Sequence, residues 1–152
     1  NSGNAYVRGF EAFLQAQLSP RLQLSGTFNY TLGRILTDTI PYPLDHIAPA
    51  FGKISLRYAL LHNKLRLEGF AMYAGWKHLE DYNFIGEDNF AFATSNGMPS
   101  WYTLNLRANY NVNNQLSLQL ACENILDRNY RMFASNISAP GRNFILTLRG
   151  NF

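Results

Sequence analysis

The chain has 152 residues, the length of one domain, yet aromatic residues make up 14% of it and charged residues only 15%, where soluble domains carry about 25% charge. A net charge of +3, scattered along the sequence, excludes a nucleic-acid footprint, and the single cysteine, Cys122, excludes a disulfide framework or a cysteine-based zinc site. No apolar run approaches the ~20 residues of a membrane helix, so any membrane-spanning element must be a strand.

Residues of about Ala5 to Leu18 alternate, with Phe10, Ala12, Leu14, Ala16 and Leu18 on one face and Glu11, Gln15 and Gln17 on the other. That is the period of a strand. Ser19-Pro20-Arg21 turns the chain, because proline presets a turn dihedral and cannot continue a ladder. Leu22 to about Leu32 repeats the alternation, with Leu22, Leu24, Gly26, Phe28 and Tyr30 opposite Gln23, Ser25, Thr27, Asn29 and Thr31. From about Gly33 to Ala50 the pattern lapses and Pro41, Pro43 and Pro49 predict a long loop.

A third strand is predicted over Phe51 to Leu60, a short turn at Leu61 to Lys64, and a fourth strand over Leu65 to Trp76, where Phe70 and Met72 on the polar face blur the alternation. Lys77 to Pro99 reads as a second long loop, Tyr102 to Tyr110 and Leu116 to Cys122 as strands joined by a turn at Val112-Asn113-Asn114, and Ile125 to Arg142 as a third long loop. The final strand runs from Asn143 to Phe152, and Cys122 falls in register with Leu116, Leu118 and Leu120 as a small apolar side chain.

Two regularities follow. Short turns and long loops alternate, so all the turns lie at one end of the sheet and all the long loops at the other, which is the plan of outer-membrane barrels. One face of every strand is apolar and the other carries Gln, Ser, Thr, Asn, Arg and Glu, the inverse of a soluble barrel. The apolar face is therefore expected to meet lipid and the polar face a wet or plugged lumen. The expected fold is an all-β, antiparallel up-and-down transmembrane barrel segment of about seven strands. Outward aromatics are expected near the loop ends (Tyr30, Tyr73, Tyr102, Phe144) and the turn ends (Tyr58, Tyr110, Phe152), the levels of a bilayer boundary.

The run Glu123-Asn124-Ile125-Leu126-Asp127-Arg128-Asn129-Tyr130, followed by Ala139-Pro140-Gly141-Arg142 and an alternating strand from Phe144 to Phe152, resembles the carboxy-terminal signature of TonB-dependent outer-membrane receptors. Val7-Arg8-Gly9-Phe10-Glu11 and Pro43-Leu44-Asp45-His46-Ile47-Ala48-Pro49 are similar to segments of the same receptors' later barrel strands. The resemblance implies that residues 1–152 are the carboxy-terminal third of a barrel of about 22 strands, cut from a longer exported precursor, with the plug domain and first strands absent. It implies a bacterial outer-membrane location. The implied partners are the bilayer, the missing plug and strands, the TonB complex through the plug, and the assembly machinery that reads the terminal aromatic. It implies no catalytic residues and no cofactor in this fragment.

By the same resemblance the complete protein imports a scarce ligand, such as an iron siderophore, haem, cobalamin or a carbohydrate. The loop residues Tyr42, His46, Trp76, His78, Tyr82 and Phe84 are the candidates for contacting it, with Phe90, Phe92 and Trp101 adding aromatic character. His46 and His78 share the loop end, His62 the opposite one, and no tight metal-ligand spacing is present. Arg57, Arg66, Glu68, Arg107, Glu123 and Arg149 are expected to form a cross-strand charge ladder or to contact the plug. A passive porin or adhesive barrel, and a soluble β-domain holding an apolar ligand, remain alternatives at the level of sequence.

Overall fold

A computed structural model describes residues 4–37, 40–84 and 90–151. The strands are β1 (Asn4–Ser19), β2 (Leu22–Leu36), β3 (Tyr42–Pro43), β4 (Phe51–Leu60), β5 (Leu65–Ala74), β6 (Trp101–Asn111), β7 (Leu116–Glu123) and β8 (Asn143–Gly150). They form one antiparallel sheet in the order β1-β2-β4-β5-β6-β7-β8, with β3 paired to the far end of β2. Chain order and spatial order coincide, as in an up-and-down barrel wall. β4 and β5 have 10 residues each, within the about 9–11 that a tilted strand needs to cross a bilayer.

Local chemistry makes the short turns. Ser19 Oγ accepts from the amides of Arg21 at 3.3 Å and Leu22 at 3.1 Å, a hydroxyl turn that starts β2 in register. Leu61, His62 and Asn63 take left-handed dihedrals between β4 and β5. Asn113 Oδ1 accepts from the amides of Gln115 at 2.9 Å and Leu116 at 2.8 Å before β7.

The register confirms the two faces strand by strand. Leu24 pairs with Leu56, Leu56 with Gly69, Gly69 with Leu106 and Leu106 with Cys122, so one apolar row crosses from β2 to β7. It ends at Phe144 on β8. The buried residues of the strands, Gly33, Ser55, Glu68, Phe70, Ala74, Thr103, Asn105 and Ala121, all belong to the other, mostly polar face, whereas Ile54, Leu106, Leu146 and Phe144 are 56–76% exposed. Burial is thus inverted relative to a water-soluble sandwich, and the exposed apolar surface far exceeds the few hundred Å² typical of a soluble monomer.

Four expectations need correction. β2 does not stop at Leu32 but runs to Leu36, because β1 keeps pairing with it up to Asn4 and β3 adds Tyr42 opposite Ile35. The last β2–β4 pair is Asn29 with Phe51, so the hairpin of β1 and β2 projects about 24 Å further at roughly 3.4 Å per residue. Tyr30 therefore lies in mid-strand rather than at a strand end, one outward position beyond Phe28, which is in register with Tyr73 through Gly52, while Tyr73 and Tyr102 pair directly. Finally, β5 ends at Ala74 rather than Trp76, and β8 at Gly150, while Phe152 lies outside the described residues. No helix among the described residues is long and apolar enough to cross a membrane.

Candidate ligand mouth and the wall beneath it

The three long connections meet at the loop end of the sheet, and their hub is Lys77, which alternation and composition did not single out. Its ammonium donates to the carbonyl of Ile47 in the first loop at 2.7 Å. It also lies 4.6 Å from the ring centre of Phe133 in the third loop and 4.8 Å from that of Tyr82 in its own. Lys77 is 2% exposed and Tyr82 fully buried. A desolvated cation is tolerable here because two aromatic faces and a carbonyl replace part of its water. The backbone of Lys77 also bridges Met98, closing the second loop on itself.

The predicted ligand residues divide around this hub. Tyr82 is the buried pillar, with Phe90 edge-on at 5.6 Å and Phe84 edge-on to Phe90 at 4.8 Å. Phe84 is 66% exposed and Trp76 43%, so both present apolar surface at the loop end of the sheet. Trp76 and His78 stack in parallel at 5.4 Å, and the indole donates to the carbonyl of Asn96 at 2.8 Å. They border a recess of 330 Å³ that Arg34 and Asp81 also line, with those two side chains 3.5 Å apart. Tyr42 is half-buried in β3, and His46 is exposed at a left-handed dihedral. Among the described residues no group of three His, Cys, Asp or Glu side chains gathers as a metal ion would require.

The carboxy-terminal signature forms a clasp. Asn124, 3% exposed and left-handed, donates through Nδ2 to the carbonyls of Arg128 at 2.8 Å and Pro140 at 3.2 Å, and accepts from the Arg128 amide at 2.9 Å. Its own amide donates to Asn105 Oδ1 at 2.9 Å, which ties the loop to β6. Asp127 Oδ1 accepts from the Arg142 amide at 2.7 Å. A Cβ on Gly141 would stand 2.6 Å from that oxygen, so a larger residue there would push the Asp127 carboxylate aside. Tyr130 packs on Trp101 at 4.3 Å, and burial, aided by the charge of Glu123, raises its phenol above the ordinary 10.0. Leu126 and Phe144 are exposed.

On the polar face, Arg57, Glu68 and Arg107 occupy one row across β4, β5 and β6. The Glu68 carboxylate lies 3.5 Å from Arg57, 3.5 Å from Arg107 and 3.6 Å from Lys53, and Arg107 reaches Glu123 at 3.7 Å. The predicted ladder therefore exists for four of its members and includes Lys53. Arg66 and Arg149 have no ion pair among the described residues; they lie near the turn end, opposite Asn109 and Ser117. The Phe70 ring that blurred the alternation in β5 is explained by Lys53, 4.3 Å from its centre, and Arg107 at 5.2 Å.

A sequence profile of the TonB-dependent receptor-like β-barrel matches residues 1–125. The chain belongs to this family. The family comprises outer-membrane receptors and transporters rather than enzymes. The match ends just inside the clasp, so Asp127, Gly141 and Arg142 lie beyond it. The fold is also that of solved family barrels over 97% of the chain. The copper transporter OprC superposes with a TM-score of 0.80 at 18% identity, and the chain covers 24% of it. For the ferric enterobactin receptor PfeA of Pseudomonas aeruginosa the values are 0.71, 20% and 23%. For the ferric-catecholate import receptor Fiu of E. coli K12 they are 0.67, 18% and 21%. The chain thus spans about a quarter or less of the length of these structures. No curated protein sequence matches it.

Proposed function

We propose that this chain is the carboxy-terminal part of the barrel of an outer-membrane receptor that captures a scarce ligand outside the cell and imports it by TonB-dependent active transport. The observation that carries the reading is the union of the three long loops through Lys77. A wall whose loops only kept the barrel soluble at its rim has no need of a buried cation that fixes all three against each other. The exposed aromatics beside this hub, Trp76 and Phe84, together with His78, are the residues that would touch the ligand, with Tyr42 and His46 flanking them. Family membership and the inverted burial of the sheet support the membrane location. In the complete receptor the plug fills the lumen against the Glu68 row and couples to the TonB complex, while the carboxy-terminal strand is read by the assembly machinery. The metal and siderophore specificities of the structural neighbours make Cu(II) and ferric catecholates the first probes.

The test uses the full-length parent in cells. With a Cys122→Ser background, cysteines at Ile137 and Asn114 are exposed to a membrane-impermeant thiol reagent, and uptake of labelled Cu(II) and ferric enterobactin is followed with and without TonB. Labelling at Ile137 alone, with receptor-dependent accumulation that disappears without TonB, is expected. Uptake that persists without TonB and rises linearly with concentration would instead identify a passive channel.

A further inference from the structure

We propose that the turn end of the barrel is a docking site for a carboxylate-bearing amino-sugar polymer, the chemistry of the peptidoglycan layer. This rests on the membrane location and orientation proposed above, which turn this end toward the periplasm. Gln23, Arg57, Glu68 and Arg107 form one row across the polar face of the sheet. On the turn side of that row the chain carries Arg21, Lys64, Arg66 and Arg149 and no Asp or Glu. All four side chains are exposed and have no partner among the described residues. The acids lie in the row itself or on its loop side, so no carboxylate side chain neutralises these cations. Arg66 and Arg149 stand on β5 and β8, about three strand spacings of roughly 4.8 Å apart.

Arg66 sits where two recesses meet. The larger, of 670 Å³, is lined by Lys64 and Arg66 together with Asn63, Asn111, Asn114 and Asn151. The smaller, of 260 Å³, runs from Asn63 and Arg66 to Arg21. Backbone bonds preset their walls: the amide of Asn111 donates to the carbonyl of Lys64 at 2.8 Å, and that of Asn151 to the carbonyl of Gln115 at 2.9 Å. Leu61, His62 and Asn63 take successive left-handed dihedrals without a glycine, strain of a kind that persists where the surroundings fix it. The carboxamides of Asn63, Asn111, Asn114 and Asn151 have no partner among the described residues. Each offers two donors and an acceptor, which match sugar hydroxyls and N-acetyl groups. A dense polyanion calls for adjoining cations, whereas single cations set among amides suit a glycan with one carboxylate-bearing branch per repeat. An acidic polypeptide would supply the charge but few hydroxyls for the amides.

The test sediments the full-length receptor, in detergent micelles, with purified peptidoglycan sacculi and compares it with its Lys64→Gln/Arg66→Gln/Arg149→Gln variant. Heat-modifiable migration reports the folded barrel. The triple variant is expected to bind about tenfold less well, the product of three exposed ion pairs worth roughly twofold each, and sacculi whose carboxylates have been converted to amides are expected to lose the parent to the same extent. Should the triple variant fail to fold, Arg66→Gln alone, expected to weaken binding about twofold, carries the comparison. Equal sedimentation of parent and variant, both folded, would overturn the site and leave these cations to the plug. Displacement by poly-glutamate but not by soluble muropeptides, at equal carboxylate concentration, would overturn the glycan in favour of an acidic polypeptide. A cysteine at Asn114 that labels on intact cells would overturn the orientation and the site together.

Discussion

The ammonium of Lys77 donates to the carbonyl of Ile47, 30 residues earlier in the sequence, at 2.7 Å across the gap between two loops. Phe133, from the third loop, lies over the same ammonium. A buried cation held this way stabilises by about 2 kcal/mol per aromatic face when desolvated. Replacing Lys77 by Met keeps the stem and removes the charge, so the loops lose their shared partner while the sheet beneath is untouched. We expect limited proteolysis of the first and third loops to accelerate by about tenfold, the equivalent of about 1.4 kcal/mol of local opening, with the heat-modifiable migration of the barrel unchanged. A protease pattern identical to wild type would show that the loops hold together without Lys77.

Among the described residues Glu68 is the one carboxylate shared by Lys53, Arg57 and Arg107, while Glu123 reaches Arg107 alone. The Glu68 side chain is 7% exposed, whereas those of Lys53 and Arg57 are 40% and 48% exposed. Glu68→Gln preserves shape and leaves three cations facing one another around Phe70, at an expected cost of about 2 kcal/mol after allowance for the wet side of the row. Arg57→Ala removes only an exposed partner and costs less than about 1 kcal/mol. Urea midpoints of the full-length receptor in detergent micelles would rank the two, and an order opposite to this one contradicts the row's assignment to Glu68.

The clasp predicts that a near-isosteric change is damaging. Asn124→Asp converts a donor to two carbonyls into a negative charge beside them, losing the bonds to Arg128 and Pro140. At about 1 kcal/mol per neutral bond, plus the cost of facing acceptors, this exceeds the loss in a surface Asn→Asp change. Gly141→Ala acts on the same loop from the other side by displacing Asp127 from the Arg142 amide. Hydrogen exchange is the direct readout: the amides of Arg128 and Arg142 are expected to lose protection in Asn124→Asp, and that of Arg142 alone in Gly141→Ala. Full protection in both variants would mean that the loop is held by other contacts.

The strands and their faces were legible because a period of two, carried by residues such as Leu104, Leu106 and Ala108, survives in any sheet with unlike faces. The clasp was legible as a pattern of spacing, though not as hydrogen bonds, since nothing local tells that Asn124 would reach Pro140. The extension of β2 was hidden because Thr31 to Leu36 need only one partner, β1, and a two-residue strand at Tyr42 has no periodicity to read. Lys77 was hidden for a different reason: its neighbours, Ile47, Tyr82 and Phe133, come from three separate loops. Composition flagged the aromatics of the loops and not the charge they enclose. Phe70 looked like an error of alternation until the cations on either strand gave it partners.

Tyr130 offers a test of the loop at high pH. Burial against Trp101, with Glu123 nearby, disfavours the phenolate and raises its pKa above 10.0. The folded loop therefore binds a proton that the unfolded chain has released, over the interval from 10.0 up to the folded value. By linkage, the stabilising contribution of the neutral phenol is complete below the unfolded pKa and is lost as pH rises through the folded one. A phenolate absorbance titration of wild type minus Tyr130→Phe is expected to give a midpoint above 10.0, and Glu123→Gln is expected to move it part of the way back. Because burial is the larger cause, the residual elevation in Glu123→Gln should exceed the part that was removed. A difference midpoint at or below 10.0 would separate Tyr130 from Trp101 and open the third loop at its base.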